Sequence, residues 1–215
     1  YIFDYAENIL DTTQFPSLIT LFTTTNHQPW TLPEDKNNII PTFSEKPAGR
    51  HPVLRTVAYT DYVIGEFIRN NKKKPWFENT IFVFISDHGI NEFEGMHEDP
   101  RNAHIPLIIY SPNIITTPKI INTITSQVDV VPSLLHLIGY PLPFDLMGKN
   151  ILSDYNDGFA CRIINDYAIW IEPNFIYTEI FNQTSNAFRY SDLYNYPYTS
   201  IPNDSKAFQS IQHNF

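Results

Sequence analysis

Apolar side chains open the chain at helical spacing: Ile2, Phe3, Ala6, Ile9 and Leu10 fit a 3.6-residue repeat and predict an amphipathic helix. The run Leu18 to Thr25 (LITLFTTT) is apolar and β-branched and predicts a buried strand, with Pro29 ending any regular element soon after. From Thr31 to Arg50, Pro33, Pro41, Pro47 and Gly49 stand among polar residues, the composition of a long surface loop. A second helical repeat (Val57, Ile64, Phe67, Ile68) runs through Val53 to Asn70. The basic run Arg69 to Lys74 suits the negative end of that helix dipole, as a solvated terminus.

Thr80-Ile-Phe-Val-Phe-Ile85 is apolar without alternation, the pattern of a central strand covered on both faces. Ile105-Pro-Leu-Ile-Ile-Tyr110 repeats the pattern, with a proline near its start where a missing N–H is tolerated. Val128 to Gly139 reads as a helix, with Pro132 in its first turn and Gly139 as its stop. Beyond about Asp154, Cys161 to Ile164, Ala168 to Glu172 and Phe175 to Glu179 read as short strands, followed by a tyrosine-rich tail. Strands alternating with helices predict an α/β sandwich around a largely parallel sheet.

Composition narrows the function. With 14 basic against 23 acidic residues the net charge is -9, which argues against a sequence-independent nucleic-acid binder. Only 7 glycines occur beside 17 prolines, and no G-x-G-x-x-G or Walker-type loop is present, so glycine-rich phosphate cradles are excluded. One cysteine, Cys161, rules out an internal disulfide framework; its apolar surroundings predict a buried structural thiol. No apolar run reaches 18 residues, so this stretch holds no membrane-spanning segment.

The sharpest chemical signal is Asp87-His88-Gly89 directly after the strand that ends at Ile85. Ligands of open α/β sheets gather at the carboxyl ends of strands. A carboxylate and an imidazole can both bind a divalent cation, and Gly89 allows the sharp turn that lets neighbouring side chains converge. The alternative reading is an aspartate that caps the next turn beside an exposed histidine. Glu92, Glu94, His97, Glu98, Asp99, Arg101 and His104 follow on an irregular segment. Asp129 reads as a helix-start residue and His136 as one packed on an apolar helix face.

Several segments carry a resemblance. Thr24-Thr-Asn-His27-Gln-Pro-Trp-Thr-Leu-Pro33 resembles the segment after a core strand in lipoteichoic acid synthase-type phosphoglycerol transferases. Val57-Ala-Tyr-Thr-Asp61-Tyr-Val-Ile-Gly65 is similar to the helix that precedes the metal strand in sulfatase-like enzymes. Ile85-Ser-Asp87-His88-Gly89 resembles their metal motif, and His104-Ile-Pro-Leu-Ile-Ile-Tyr-Ser-Pro112 the strand beyond it. Gln127-Val-Asp129-Val-Val-Pro132-Ser-Leu-Leu-His136-Leu-Ile-Gly139, with Leu146-Met-Gly148, resembles the later helix and its turn. The matches run in family order over about residues 1 to 150.

This resemblance, to the alkaline phosphatase superfamily, implies a three-layer α/β/α fold that is incomplete at its N-terminus. Residues 1–153 would be the C-terminal part of a sulfatase-like catalytic domain, and 154–215 a strand-rich subregion of that domain with a tail. It implies Asp87 and His88 as ligands of a divalent metal ion (manganese, magnesium or zinc), and His27 as a contact to the substrate's phosphoryl group. His97 could reach the same site. Family members use a threonine nucleophile, or serine or formylglycine in relatives, and an acidic ligand from the first strand. Both fall upstream of the segment matching Tyr1 to Leu10, so no nucleophile is assigned here, and the 215 residues alone are expected to be inactive. The implied reaction is phosphoglycerol transfer from a phosphatidylglycerol-like lipid to a glycerol- or glycan-type hydroxyl, outside the cell membrane, with an upstream anchor. A sulfatase or phosphoethanolamine transferase, and a degenerate homologue with only a binding role, are the alternatives.

Overall fold

The computed structural model describes residues 2–36, 40, 51–90, 93, 99–141, 146–153 and 158–214. Contacts divide the chain into two compact units, Tyr1–Ile81 with Ser111–Thr116, and Phe82–Tyr110 with Thr117–Phe215.

The first unit is helical. Helix α1 (Ile2–Thr12) and helix α2 (His51–Asn71) form where the 3.6-residue repeats predict them. Phe3 packs on Phe67 with ring centroids 5.3 Å apart, and Phe67 stacks on Trp76 at 6.2 Å. Lys74 is not merely a solvated end of α2. Its ammonium lies 2.5 Å from Asp11 Oδ2 and 2.9 Å from Glu7 Oε1, while Trp76 Nε1 donates to Asp11 Oδ1 at 2.9 Å. Two carboxylates one helical turn apart on α1 thus hold the chain just past α2, and the Lys74 pair depresses the Asp11 carboxyl below its usual range.

Residues 18–25 depart from expectation. They carry no regular structure, and Leu18 and Phe22 are exposed. A strand needs neighbouring backbone to satisfy its N–H and C=O groups, and no strand among the described residues pairs with this run.

In the second unit, β1 (Phe82–Ile85) and β2 (Leu107–Tyr110) pair antiparallel, from Phe82 opposite Tyr110 to Ile85 opposite Leu107. The α/β class holds, with helix preceding β1 and helix following β2, but the strand pairs described in this chain are all antiparallel. Between β1 and β2 the described residues hold a 3₁₀ turn at Pro100–Ala103 and no α-helix, and an antiparallel pair needs no crossover helix. Neither strand is covered on both faces here, since Ile85 and Ile108 remain exposed. Helix α3 (Val130–Leu137) follows a 3₁₀ turn at Gln127–Asp129. It ends as expected at Gly139, whose φ of 68° suits glycine. Gly139 N donates to His136 O and Tyr140 N to Leu135 O, the Schellman pattern. His136 itself is exposed, not packed.

The rest is an antiparallel meander of β3 (Ala160–Ile164), β4 (Tyr167–Glu172), β5 (Phe175–Ile180), β6 (Ser185–Arg189) and β7 (Thr199–Ile201) in that order, with helix α4 (Lys206–Asn214). Asn165, Asn174 and Asn182 take positive φ in its tight turns, which asparagine tolerates better than most residues. One sheet face packs Tyr177, Ala187 and Ile201 on Phe208 and Ile211 of α4; the other buries Tyr167, Ile169 and Ile176 beneath Leu193 and Tyr198. The tyrosine-rich end is therefore built structure. Cys161 lies exposed on edge strand β3, not buried. Among the described residues no helix is long and apolar enough to cross a membrane.

Candidate functional site

The chain leaves the sheet after Ile85, and Asp87 and His88 both project into solvent at that strand end, with side chains 59% and 69% exposed. Asp87 Oδ1 accepts a hydrogen bond from His88 N at 2.9 Å. His88 Nδ1 lies 2.8 Å from Gly89 O. A carbonyl can only accept, so Nδ1 carries the hydrogen, and in the neutral ring the lone pair is left on Nε2. That Nε2 is 3.6 Å from Asp87 Oδ2. Ligand atoms each about 2.1 Å from one tetrahedral ion lie about 3.4 Å apart. The pair therefore fits two positions around a divalent cation, and the Gly89 carbonyl fixes the tautomer as metal-bound imidazoles require. Among the described residues no third His, Cys, Asp or Glu joins them in a cluster. Glu92, Glu94, His97 and Glu98 lie outside the described residues.

Two residues that sequence reasoning did not single out bear on this turn. Gln127 Nε2 donates to Ser86 O at 2.9 Å and to Asp87 O at 3.0 Å. On the other side, a Cβ on Gly89 would lie 2.1 Å from Asn102 O, so only glycine lets these segments meet. Asn102 in turn donates through Nδ2 to Phe93 O and accepts from Phe93 N, both at 3.0 Å. Nothing local in the sequence marks Gln127, because its two partner carbonyls lie 41 and 40 residues away.

Asp129 is a helix-start residue, as expected, and does more than cap. Its Oδ2 accepts from Ser126 N and its Oδ1 from Lys149 N, both at 2.7 Å, at 7% exposure. Ser133 Oγ donates to Asp129 O at 2.6 Å and accepts from Ile151 N at 3.0 Å. The start of α3 and residues 149–151 are thereby tied together.

His27 belongs to the first unit. A turn brings its N–H to Thr24 O at 3.0 Å, and a second, containing a cis Gln28–Pro29 bond, brings Trp30 N to His27 O at 3.0 Å. Its ring is exposed and its Nδ1 lies 2.9 Å from Gln28 O, so it shares the tautomer of His88 with Nε2 left over. Neighbouring Asn26 accepts from Thr60 Oγ1 of α2 at 3.3 Å.

His104 places Nδ1 2.6 Å from the Tyr194 hydroxyl. Close by in sequence, Arg101 pairs with buried Asp99 through Nη2 at 2.6 Å and Nε at 2.9 Å, and its guanidinium lies 4.5 Å from the Phe93 ring centroid and 4.8 Å from that of Tyr196. The Asp99 hydrogen bonds push the Arg101 guanidinium pKa further up.

Comparison with known proteins bears on the family and the fold. The family model described as Sulfatase matches residues 1–140, well over half of the chain. Lipoteichoic acid synthase-like YvgJ of Bacillus subtilis (strain 168) is 32% identical over 174 residues, 71% of this chain and 28% of that protein. Arylsulfatase K of Canis lupus familiaris is 32% identical over 125 residues, covering 55% of this chain and 23% of its own length. A solved structure of a protein in the alkaline phosphatase superfamily from Vibrio parahaemolyticus superposes with a TM-score of 0.80 at 21% identity, over 98% of this chain and 50% of that one. The chain thus spans about a quarter of these curated relatives and half of that structure. On the extent of the family match, and with that superfamily's fold, the chain belongs to the sulfatase family.

Proposed function

We propose that the chain supplies the Asp87–His88 part of a divalent-metal site in a phosphoglycerol transferase that works at the extracytoplasmic face of the cell membrane. The observation that carries the reading is the Asp87 Oδ2 to His88 Nε2 separation of 3.6 Å, with Nδ1 of that ring engaged by a carbonyl. The likeness to a lipoteichoic acid synthase-like protein over 71% of the chain supports the phosphoglycerol assignment.

Asp87 and His88 would hold the ion, manganese, magnesium or zinc, which when bound polarises a phosphoryl oxygen and favours ionisation of a nearby hydroxyl. Asp87 contributes the charge and His88 the Nε2 lone pair, while Gly89 O keeps the other ring nitrogen protonated. His27 has the opposite task. To donate to a non-bridging phosphoryl oxygen from Nε2 while Nδ1 remains bonded to Gln28 O, its ring must carry both protons, and it then meets the substrate as a cation. His97 is assigned to the same oxygens on the resemblance alone. The donor is a phosphatidylglycerol-like lipid. A threonine oxygen, assigned to no threonine of this chain, bonds to phosphorus as the bond to the diacylglycerol oxygen breaks, and diacylglycerol leaves with a proton. A glycerol- or glycan-type hydroxyl then attacks phosphorus and frees the threonine.

Sulfate-ester hydrolysis is the second reading, favoured by the likeness to arylsulfatase K. Both readings need the same metal pair and differ in the ester taken. The test uses the full-length protein with Asp87→Ala and His88→Ala, titrated with Mn²⁺ and assayed on phosphatidylglycerol and on an aryl sulfate. Loss of metal and of phosphatidylglycerol turnover in both variants is expected. Turnover of the sulfate alone selects the second reading, and unchanged metal content in both variants removes both.

A further inference from the structure

We propose that Gln127 is a positioning residue for the Asp87–His88 turn, setting the direction in which both metal-binding side chains leave the backbone. The inference rests on the metal reading above. A single amide nitrogen serves two consecutive carbonyls, Ser86 O at 2.9 Å and Asp87 O at 3.0 Å. Those carbonyls belong to the peptide planes on either side of Asp87. Two planes fixed against one side chain fix both backbone dihedrals of Asp87, and with them the direction of its Cβ.

The plane between Asp87 and His88 is held at both ends. Its carbonyl accepts from Gln127, and its N–H donates to Asp87 Oδ1 at 2.9 Å. The same plane leads directly into His88, whose ring is oriented by Gly89 O. Gln127 is itself anchored. It follows Ser126, whose N–H donates to Asp129 Oδ2 at 2.7 Å and whose carbonyl accepts from Asp129 N at 3.0 Å. The geometry of the ligand pair is thereby referred to the start of α3 and not only to strand β1.

Burial separates a positioning role from a purely structural one. Gln127, Asp87 and His88 are exposed and Ser86 is half-buried, so if the amide is removed the Asp87 carbonyl turns to water and little folding stability is lost. What is lost is the preset orientation of two ligands, and outer-shell partners of metal ligands are typically worth about 10- to 100-fold in affinity.

The experiment compares full-length wild type, Gln127→Glu, Gln127→Met and Asp87→Ala. Mn²⁺ affinity is read by calorimetry, the environment of the bound ion by electron paramagnetic resonance, and the unfolding temperature is measured without metal. Gln127→Glu keeps the shape but presents acceptors to two carbonyls; Gln127→Met keeps length and removes the donor. The expected result is an affinity about tenfold or more weaker in both, with a broadened Mn²⁺ spectrum and a metal-free unfolding temperature close to wild type. Wild-type affinity in both glutamine variants, with Asp87→Ala losing the ion, overturns the role of Gln127 alone. A weakened affinity that comes only with a large fall in metal-free unfolding temperature also overturns it. Unchanged binding in Asp87→Ala marks the failure of the metal reading itself.

Discussion

The backbone of Gly89 runs against Asn102 so closely that a Cβ at residue 89 would stand 2.1 Å from the Asn102 carbonyl oxygen and 3.0 Å from its carbonyl carbon. Backbone cannot swing aside as a flexible side chain can. In Gly89→Ala the two segments must separate, and Asn102 also holds residue 93 through its amide. A cost of about 1–3 kcal/mol is expected, as for other overpacked sites. Urea unfolding measures it. Mn²⁺ affinity should fall in the same variant, because the carbonyl that orients His88 belongs to Gly89.

Asp129 collects two backbone donors, Ser126 N and Lys149 N, on separate oxygens while nearly buried. Asp129→Ala leaves both donors without their acceptor, and a loss of about 2–3 kcal/mol is expected from hydrogen bonds to a charged group. Asp129→Asn should also destabilise, but less, since one amide oxygen can serve only one of the two sites well. Denaturant midpoints of the two variants give the order; equal stability of all three proteins would contradict the arrangement.

Legibility in the sequence followed how local each determinant is. Helices α1, α2 and α3 stand where apolar spacing and the Gly139 stop put them, because those signals lie within one element. The strand expected at Leu18 to Thr25 does not form, since apolar, β-branched residues supply propensity but not the neighbouring backbone a strand needs. The same limit hid the direction of the β1–β2 pairing and the strands β6 and β7 within a stretch that reads only as tyrosine-rich. At the site, the adjacency of Asp87 and His88 after an apolar strand is visible in five letters. Gln127 and Asn102 are not, because each acts on backbone that is remote in sequence or carries no distinctive side chain.

Arg101 and Asp99 form a pair whose side chains are 9% and 0% exposed, with two side-chain hydrogen bonds between them. Arg101→Met removes the cation and leaves a carboxylate without its charge partner in a buried position. A loss of about 3 kcal/mol or more is expected, as when other buried pairs are broken on one side. Adding Asp99→Asn should restore part of it, because the buried charge goes with the pair. Thermal unfolding of the two single variants and the double variant checks this; additive losses would mean that the two side chains are not coupled.

Tyr198 is the group whose titration gives a pH prediction. Its hydroxyl donates to Leu193 O at 2.6 Å, and burial, reinforced by the nearby Asp99 charge, raises its pKa to about 12. An unfolded tyrosine ionises near pH 10. Between about pH 10 and 12 the unfolded chain therefore releases this proton while the folded chain keeps it, and stability falls as pH rises through that window. Below about pH 10 the contribution is fully present. Tyr190 and Tyr177 are raised in the same direction, also chiefly by burial, so they add to the slope. Tyr198→Phe should cost about 1 kcal/mol near neutral pH, where only a hydrogen bond is lost. Because phenylalanine has no proton to lose, the gap to wild type should close above about pH 10 and can reverse near the top of the window. Urea midpoints for both proteins, taken from about pH 8 to about pH 11.5, decide it. Curves that stay parallel across that range would mean that the Tyr198 phenol ionises as freely in the fold as in the unfolded chain.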